Sequence, residues 1–216
     1  MIMPMHKLHL AIVKKVNNSL NRDLDKLMLG SILPNLTKYD HNISHFRKDS
    51  CLSDINLFLE KYSMSLNNDI MLGYYIHLLT DNFYKDFFIT EIIEYDEEGN
   101  VLGYIFNGQK KEGKIEDIKV TIKKDYESFG NYLMDYGFIS KFSSDECVKS
   151  VSEFQECNVD SNTLYDYIIS IDMDIKKHSK KSFFKRFKRY KFRLLPKEMY
   201  MDLMNKCVDY ILENLK

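Results

Sequence analysis

The chain is 216 residues long, 44% hydrophobic and 29% charged, with a formal net charge of -1, a balance that argues against a disordered or strongly polyanion-binding protein. Three prolines and eight glycines argue against a turn-rich β fold, and length alone suits one domain. The cysteines Cys51, Cys147, Cys157 and Cys207 form no C-x-x-C pair, which argues against a Cys-rich zinc finger and a disulfide framework.

The first residues, Met1-Ile2-Met3-Pro4-Met5-His6-Lys7, lack the basic-then-apolar order of a signal peptide. No apolar run approaches the roughly 18 residues that a bilayer span needs. A soluble, cytoplasmic protein without a transmembrane segment is therefore expected.

Leu8, Ile12, Val16 and Leu20 recur at helical spacing and predict a first helix from about Pro4 to Asn17. A second apolar segment, Leu24 to Leu33, stops at Pro34. Thr37 to Cys51 is polar and reads as a loop. Ser53 to Tyr62 reads as a short helix with Ser53 as its N-cap, and Asn67 or Asn68 caps a long helix reaching about Phe88. The pattern then changes: Ile89 to Tyr95 and Val101 to Asn107 are β-rich and flank Asp96-Glu97-Glu98-Gly99-Asn100, a hairpin signal. Two strands alone are marginal, so the hairpin must lean on the helical body. Ile115 to Tyr136, Thr163 to Ile175 and Lys197 to Leu215 return to helical spacing. The expected fold is mostly α, a single domain over 1–216. It divides into helices over 1–90 that hold five of the six histidines, a β-hairpin insertion over 91–108 and a helical remainder over 109–216.

The segment Leu72-Gly73-Tyr74-Tyr75-Ile76-His77-Leu78-Leu79-Thr80-Asp81 carries the most chemistry. His77 and Asp81 are four residues apart and share a helix face that is otherwise apolar. A buried carboxylate is costly unless it is paired or holds a cation. Imidazole and carboxylate are both zinc ligands, and a hydrogen-bonded His–Asp pair on a core helix satisfies the same pattern. Five of the six histidines lie before residue 78: His6, His9, His41, His45 and His77.

Four separate motifs together resemble the zinc-dependent phospholipase C family, which also includes single-strand-specific nucleases. They are His9-Leu10-Ala11-Ile12-Val13-Lys14-Lys15-Val16, Leu29-Gly30-Ser31-Ile32-Leu33-Pro34, Ser44-His45-Phe46 and the Leu72–Asp81 segment, and they lie in the family's order within about the first 90 residues. The resemblance implies a multi-helix bundle and zinc, one or two ions. His45, His77 and Asp81 would hold one ion, and Asp81 would bridge to a second held by His9. The family completes that second site with a free N-terminal amine; this chain has five residues ahead of His6, so His6 or water would stand there. Asn35 occupies the position of a family aspartate, as a weaker candidate ligand beside the catalytic Asp81, with Asp40 as an alternative. Phe87 stands where the family has the first ligand of a further zinc, and the one histidine after Asp81 is His178, so the three-metal site is not reproduced. Asp125 reads as an exposed helical residue.

The activity implied is hydrolysis of a phosphoester, lipid or nucleotide, by metal-activated water. The alternative is an inactive metal-binding or partner-binding module on the same fold. Residues 176–193 hold ten of the 31 Lys and Arg and no acid, interleaved with aromatics. Lys176 to Arg193 is therefore a candidate contact for an anionic surface, or a core helix with Phe183, Phe184, Phe187 and Tyr190 inward and lysines outward.

Overall fold

A computed structural model describes residues 5–37, 40–48, 51–106, 108–141, 159–180 and 190–216. Eight α-helices and one small antiparallel sheet make up the described residues, and the expected mostly α fold with a small β insertion is what the chain adopts. The helices are α1 (His6–Leu20), α2 (Leu24–Ile32), α3 (His41–Ser44), α4 (Ile55–Tyr62), α5 (Asp69–Phe87), α6 (Ile115–Asp135), α7 (Ser161–Lys180) and α8 (Lys197–Asn214). The strands are β1 (Ile93–Tyr95), β2 (Val101–Phe106) and β3 (Gln109–Glu112), in that order across the sheet. No described helix is long and apolar enough to cross a membrane.

Helix α5 is the centre of the molecule. It starts where Asn68 accepts from the backbone N–H groups of Ile70 and Met71, which are unpaired at a helix start. Ile70 through Asp81 are all buried, because α1, α2, α4 and α8 pack around the helix. Contact with α2 is backbone against backbone. A Cβ built on Gly30 would lie 1.9 Å from the carbonyl oxygen of Ile70, and one built on Gly73 would lie 2.1 Å from that of Leu27. Glycine at both positions lets the two helices approach this closely.

Several boundaries differ from expectation for identifiable reasons. Among the described residues of 37–51 there is a short helix, α3, started by Asp40, whose carboxylate accepts from Asn42 N at 2.8 Å. The cap of α4 is Asp54, which accepts from Leu57 N at 3.0 Å. Ser53 instead exchanges backbone hydrogen bonds with the side chain of Asn82 on α5, at 2.7 and 2.8 Å. The strand expected from Ile89 starts only at Ile93; Phe88–Ile92 continues α5 as a wide helical turn. Phe88 and Ile92 are buried four residues apart, and the Thr90 hydroxyl donates back to Asp86 O at 2.9 Å, so the helical period outweighs the β-branched composition. The hairpin turn is held by Asp96, which accepts from Glu98 N and Asn100 N at 2.9 and 2.7 Å, with Gly99 at φ 85°. A third strand follows, so the β insertion runs to Glu112 instead of 108; β3 is exposed throughout and offers no apolar alternation to read.

Asp125 is a correction of substance. It is wholly buried, accepting from Arg193 N and Leu194 N at 2.7 Å each and from the Tyr200 hydroxyl at 3.1 Å. It fastens the segment before α8 to α6. Asp135 plays a similar part, receiving His178 Nδ1 at 2.6 Å and the Tyr190 hydroxyl. The helix expected to carry Phe183, Phe184 and Phe187 lies outside the described residues. Lys176 and Lys177 are exposed at the end of α7, and Tyr190 to Leu195 is irregular.

If the α2–α5 contact sets this packing, Gly73→Ala destabilises the fold by about 3 kcal/mol or more, since a methyl group there meets backbone that cannot rotate away. Urea unfolding of the variant measures it, and a loss under about 1 kcal/mol would show that the helices separate freely.

Candidate metal centre

Three stretches of chain bring the candidate ligands together. His9 comes from the first turn of α1, His45 from the residue after α3, and His77 and Asp81 from α5. All four are buried, each at 1% exposure or less. His9, His77 and Asp81 form a group whose ligand atoms lie within 4.8 Å of one another, close enough to hold one metal ion. His45 Nε2 is 3.2 Å from His77 Nε2 and 3.7 Å from Asp81 Oδ2.

The hydrogen bonds fix which ring nitrogens are available. His77 Nδ1 lies 2.7 Å from the carbonyl oxygen of Ser31, in the last turn of α2, where carbonyls run out of helical partners. His45 Nδ1 lies 2.9 Å from the carbonyl oxygen of His41 and 3.0 Å from the Ser44 hydroxyl, which itself is placed to donate to Pro34 O at 3.0 Å. Carbonyl oxygens only accept, so both Nδ1 atoms carry the proton and both Nε2 atoms present bare lone pairs. Two such lone pairs 3.2 Å apart repel unless a cation lies between them. A proton is a poor candidate: burial pushes His45 down to about 3 and His77 well below its ordinary value. A tetrahedral zinc with Zn–N of about 2.0–2.1 Å holds two ligand nitrogens about 3.3 Å apart, so the spacing fits a metal.

The third histidine points the same way. His9 stacks on His77, with ring centroids 3.9 Å apart and planes at 12°. Neither His9 nitrogen has a hydrogen-bond partner, nor does Asp81 Oδ1, although His9 Nε2 and Oδ1 are only 3.4 Å apart. Buried polar atoms without partners are rare, and here they face one another across the centre of the group.

Asp81 is also held by two cations that the sequence reading passed over. Lys85 Nζ lies 3.0 Å and Arg47 NH2 3.2 Å from Oδ2, both side chains almost wholly buried. Burial acts to raise the Asp81 carboxyl, but the contact with His9 and the charge on Lys85 outweigh it and keep it well below the usual carboxylate range. Lys85 was legible, lying one helical turn beyond Asp81. Arg47 was not, since nothing in its spacing from His45 points inward.

The remaining candidates lie elsewhere. Asn35 ends the short 3-10 turn Leu33–Asn35, half-buried and next to the Pro34 carbonyl that Ser44 bonds. Asp40 is exposed and serves as the cap of α3. His6 packs edge-on against Tyr167 at 5.5 Å. Phe87 packs edge-on against Phe88 at 5.4 Å. Beside the centre, a cavity of ≈ 360 Å³ is lined by Cys51, Lys85, Ile89, Ile93, Tyr95, Ile115 and Lys119, so Lys85 stands between it and Asp81.

Buried neutral histidines give the metal-free fold a pH dependence with a definite sign. Unfolded histidine binds a proton near pH 6.5, whereas His45 and His6 in the fold resist protonation down to about 3 and about 4. Stability is fully present above about pH 6.5 and is lost as pH falls toward those values. Zinc-free protein therefore has a lower urea midpoint at about pH 5 than at about pH 7.5; an equal or higher midpoint would mean that the imidazoles are protonated in the fold. No family model, curated protein or solved structure matches this chain.

Proposed function

We propose that this chain is a metal-dependent phosphoester hydrolase of the zinc-dependent phospholipase C and nuclease type. The observation that carries the reading is the buried group of His9, His77 and Asp81, close enough together to hold one ion, with His45 Nε2 3.2 Å from His77 Nε2. Those four side chains come from three of the four sequence motifs, and the fourth, Leu29–Pro34, supplies the Ser31 carbonyl beside His77. A bound zinc would bring the pKa of its water toward about 7 and polarise a phosphoryl oxygen. The protein's own contribution is to hold the ligands. The Ser31 and His41 carbonyls fix the tautomers of His77 and His45, and packing on α1 and α5 fixes His9 and Asp81. Lys85, at the floor of the adjacent cavity, offers a positive charge to an incoming phosphate. Lys176 to Arg193 adds a basic segment for contact with an anionic surface.

A second reading rests on a specific observation. The centre is closed to solvent, and Arg47 and Lys85 already neutralise Asp81. That suits a module that holds metal, or has ceased to hold it, without turnover.

Elemental analysis separates the two. Wild type purified with zinc supplied is expected to carry metal and to hydrolyse bis(p-nitrophenyl) phosphate. His77→Ala is expected to lose the metal and more than about a hundredfold in kcat/KM, since changes merely next to a ligand cost 10–100-fold. Metal without hydrolysis of diester or phospholipid would leave the module reading standing. In the same assay Asn35→Asp, which supplies the carboxylate that the resemblance implies at this position, is expected to tighten zinc binding by about tenfold or more; unchanged affinity would remove Asn35 from the site.

A further inference from the structure

On the reading that this centre binds zinc, we propose that it is mononuclear, because Lys85 and Arg47 stand where a second metal ion would sit on Asp81.

A bridging carboxylate gives one oxygen to each metal. Here the two oxygens of Asp81 have different surroundings. Oδ1 has no hydrogen-bond partner and faces His9 Nε2 at 3.4 Å. Oδ2 receives the Lys85 ammonium at 3.0 Å and the Arg47 guanidinium at 3.2 Å. An ionised carboxylate oxygen has two lone-pair directions, and two N–H donors occupy both. Neither donor is a loose surface group: their side chains are 3% and 1% exposed, so moving them aside means either burying an unpaired charge or opening the core.

Charge leads to the same count. One carboxylate against two cations already leaves the Asp81, Lys85 and Arg47 group with one net positive charge before any metal arrives. The first zinc adds two more, offset in part by a bound hydroxide or a substrate phosphate. A second zinc would add another two to a site that water does not reach. The single ion is held by His9, His77 and Asp81 Oδ1, with His45 beside His77 as the fourth nitrogen. Lys85 and Arg47 supply the charge that a second ion would otherwise give to Oδ2.

The arrangement also explains how the fold tolerates Asp81 without metal. Lys85 is one helical turn away on α5, so the pair forms as the helix forms. Arg47 follows His45 by two residues, so the chain that brings the third nitrogen also brings the second cation.

The test is zinc stoichiometry by elemental analysis and native mass spectrometry, after dialysis against buffered free zinc, on wild type, Lys85→Met and Arg47→Met. Circular dichroism checks that each variant is folded. Wild type is expected to saturate at about one zinc per chain. Removing a cation is expected to admit a second ion, raising the count toward two in whichever variant stays folded. Zinc-free Lys85→Met is expected to melt below zinc-free wild type and to regain the difference when zinc is added. Two ions in wild type would overturn the proposal while leaving the zinc reading intact, as would a count of one in both folded variants. No zinc in any of the three proteins would overturn the zinc reading itself.

Discussion

The contact between Gly30 on α2 and Gly73 on α5 governs the geometry of the centre. Each glycine faces the backbone of the other helix at a distance that no side chain permits. Ser31 follows Gly30, and His77 stands one helical turn beyond Gly73, so the same contact sets the carbonyl of Ser31 2.7 Å from His77 Nδ1. That bond decides which nitrogen of His77 is protonated, and so which one faces His45 and Asp81. An ångström of extra separation would cost more than packing: it would leave a buried N–H and a helix-end carbonyl unpaired and free the imidazole to rotate. The glycines of Leu29-Gly30-Ser31 and Leu72-Gly73-Tyr74 therefore act on the orientation of His77 through two helices and one hydrogen bond.

The chemistry at the centre follows from the rarity of buried charge. A lone buried carboxylate would take up a proton, and Asp81 is spared that by Lys85 and Arg47. The histidines meet burial differently, by staying neutral with one nitrogen committed to a carbonyl. What remains is the pair of facing Nε2 lone pairs of His45 and His77, 3.2 Å apart, beside a long 3.4 Å contact between His9 Nε2 and Asp81 Oδ1. Water could satisfy some of them, but the stacked and edge-on packing of the three rings leaves little room for it. The ring nitrogens are unsatisfied in hydrogen bonding although Asp81 is already paired, so what favours a cation here is coordination by nitrogen lone pairs rather than unneutralised negative charge.

Much of this was legible in the sequence where periodicity and backbone chemistry agree. Helix α5, its Asn68 cap and the shared face of His77 and Asp81 follow from spacing alone, as do α6 and α8 within a residue or two of their ends. The glycines could be seen but their role could not, since a close approach between helices is a tertiary fact. Strand propensity misled at Ile89–Ile92, where burial at helical spacing decided the outcome, and gave no warning of β3, whose residues are polar and exposed. Asp125 shows the converse: its charged neighbours Lys123 and Lys124 suggest a solvated face, yet a segment 68 residues away in sequence covers it and donates two backbone N–H groups. Arg47 was hidden for the same reason, its partner being 34 residues distant.

The side chains around the centre have two kinds of support. His9, His77, Asp81 and Lys85 stand on long helices that pack against each other along their length. His45 and Arg47 stand on irregular chain between α3 and α4, where Phe46 takes a left-handed φ of 52° and short bonds such as Asp54 N to Phe46 O close the turn. Displacing that segment would withdraw one nitrogen and one cation together and uncover Asp81, while the framework of α1, α2 and α5 stayed in place. Cys51, at the far end of the same segment, lines the cavity whose floor is Lys85. A phosphate entering there would meet Lys85 first and compete with Asp81 for it. Loss of the Lys85 contact would leave Asp81 with Arg47 as its one close cation, so the charge on the cavity side and the charge state of Asp81 are linked through a single side chain.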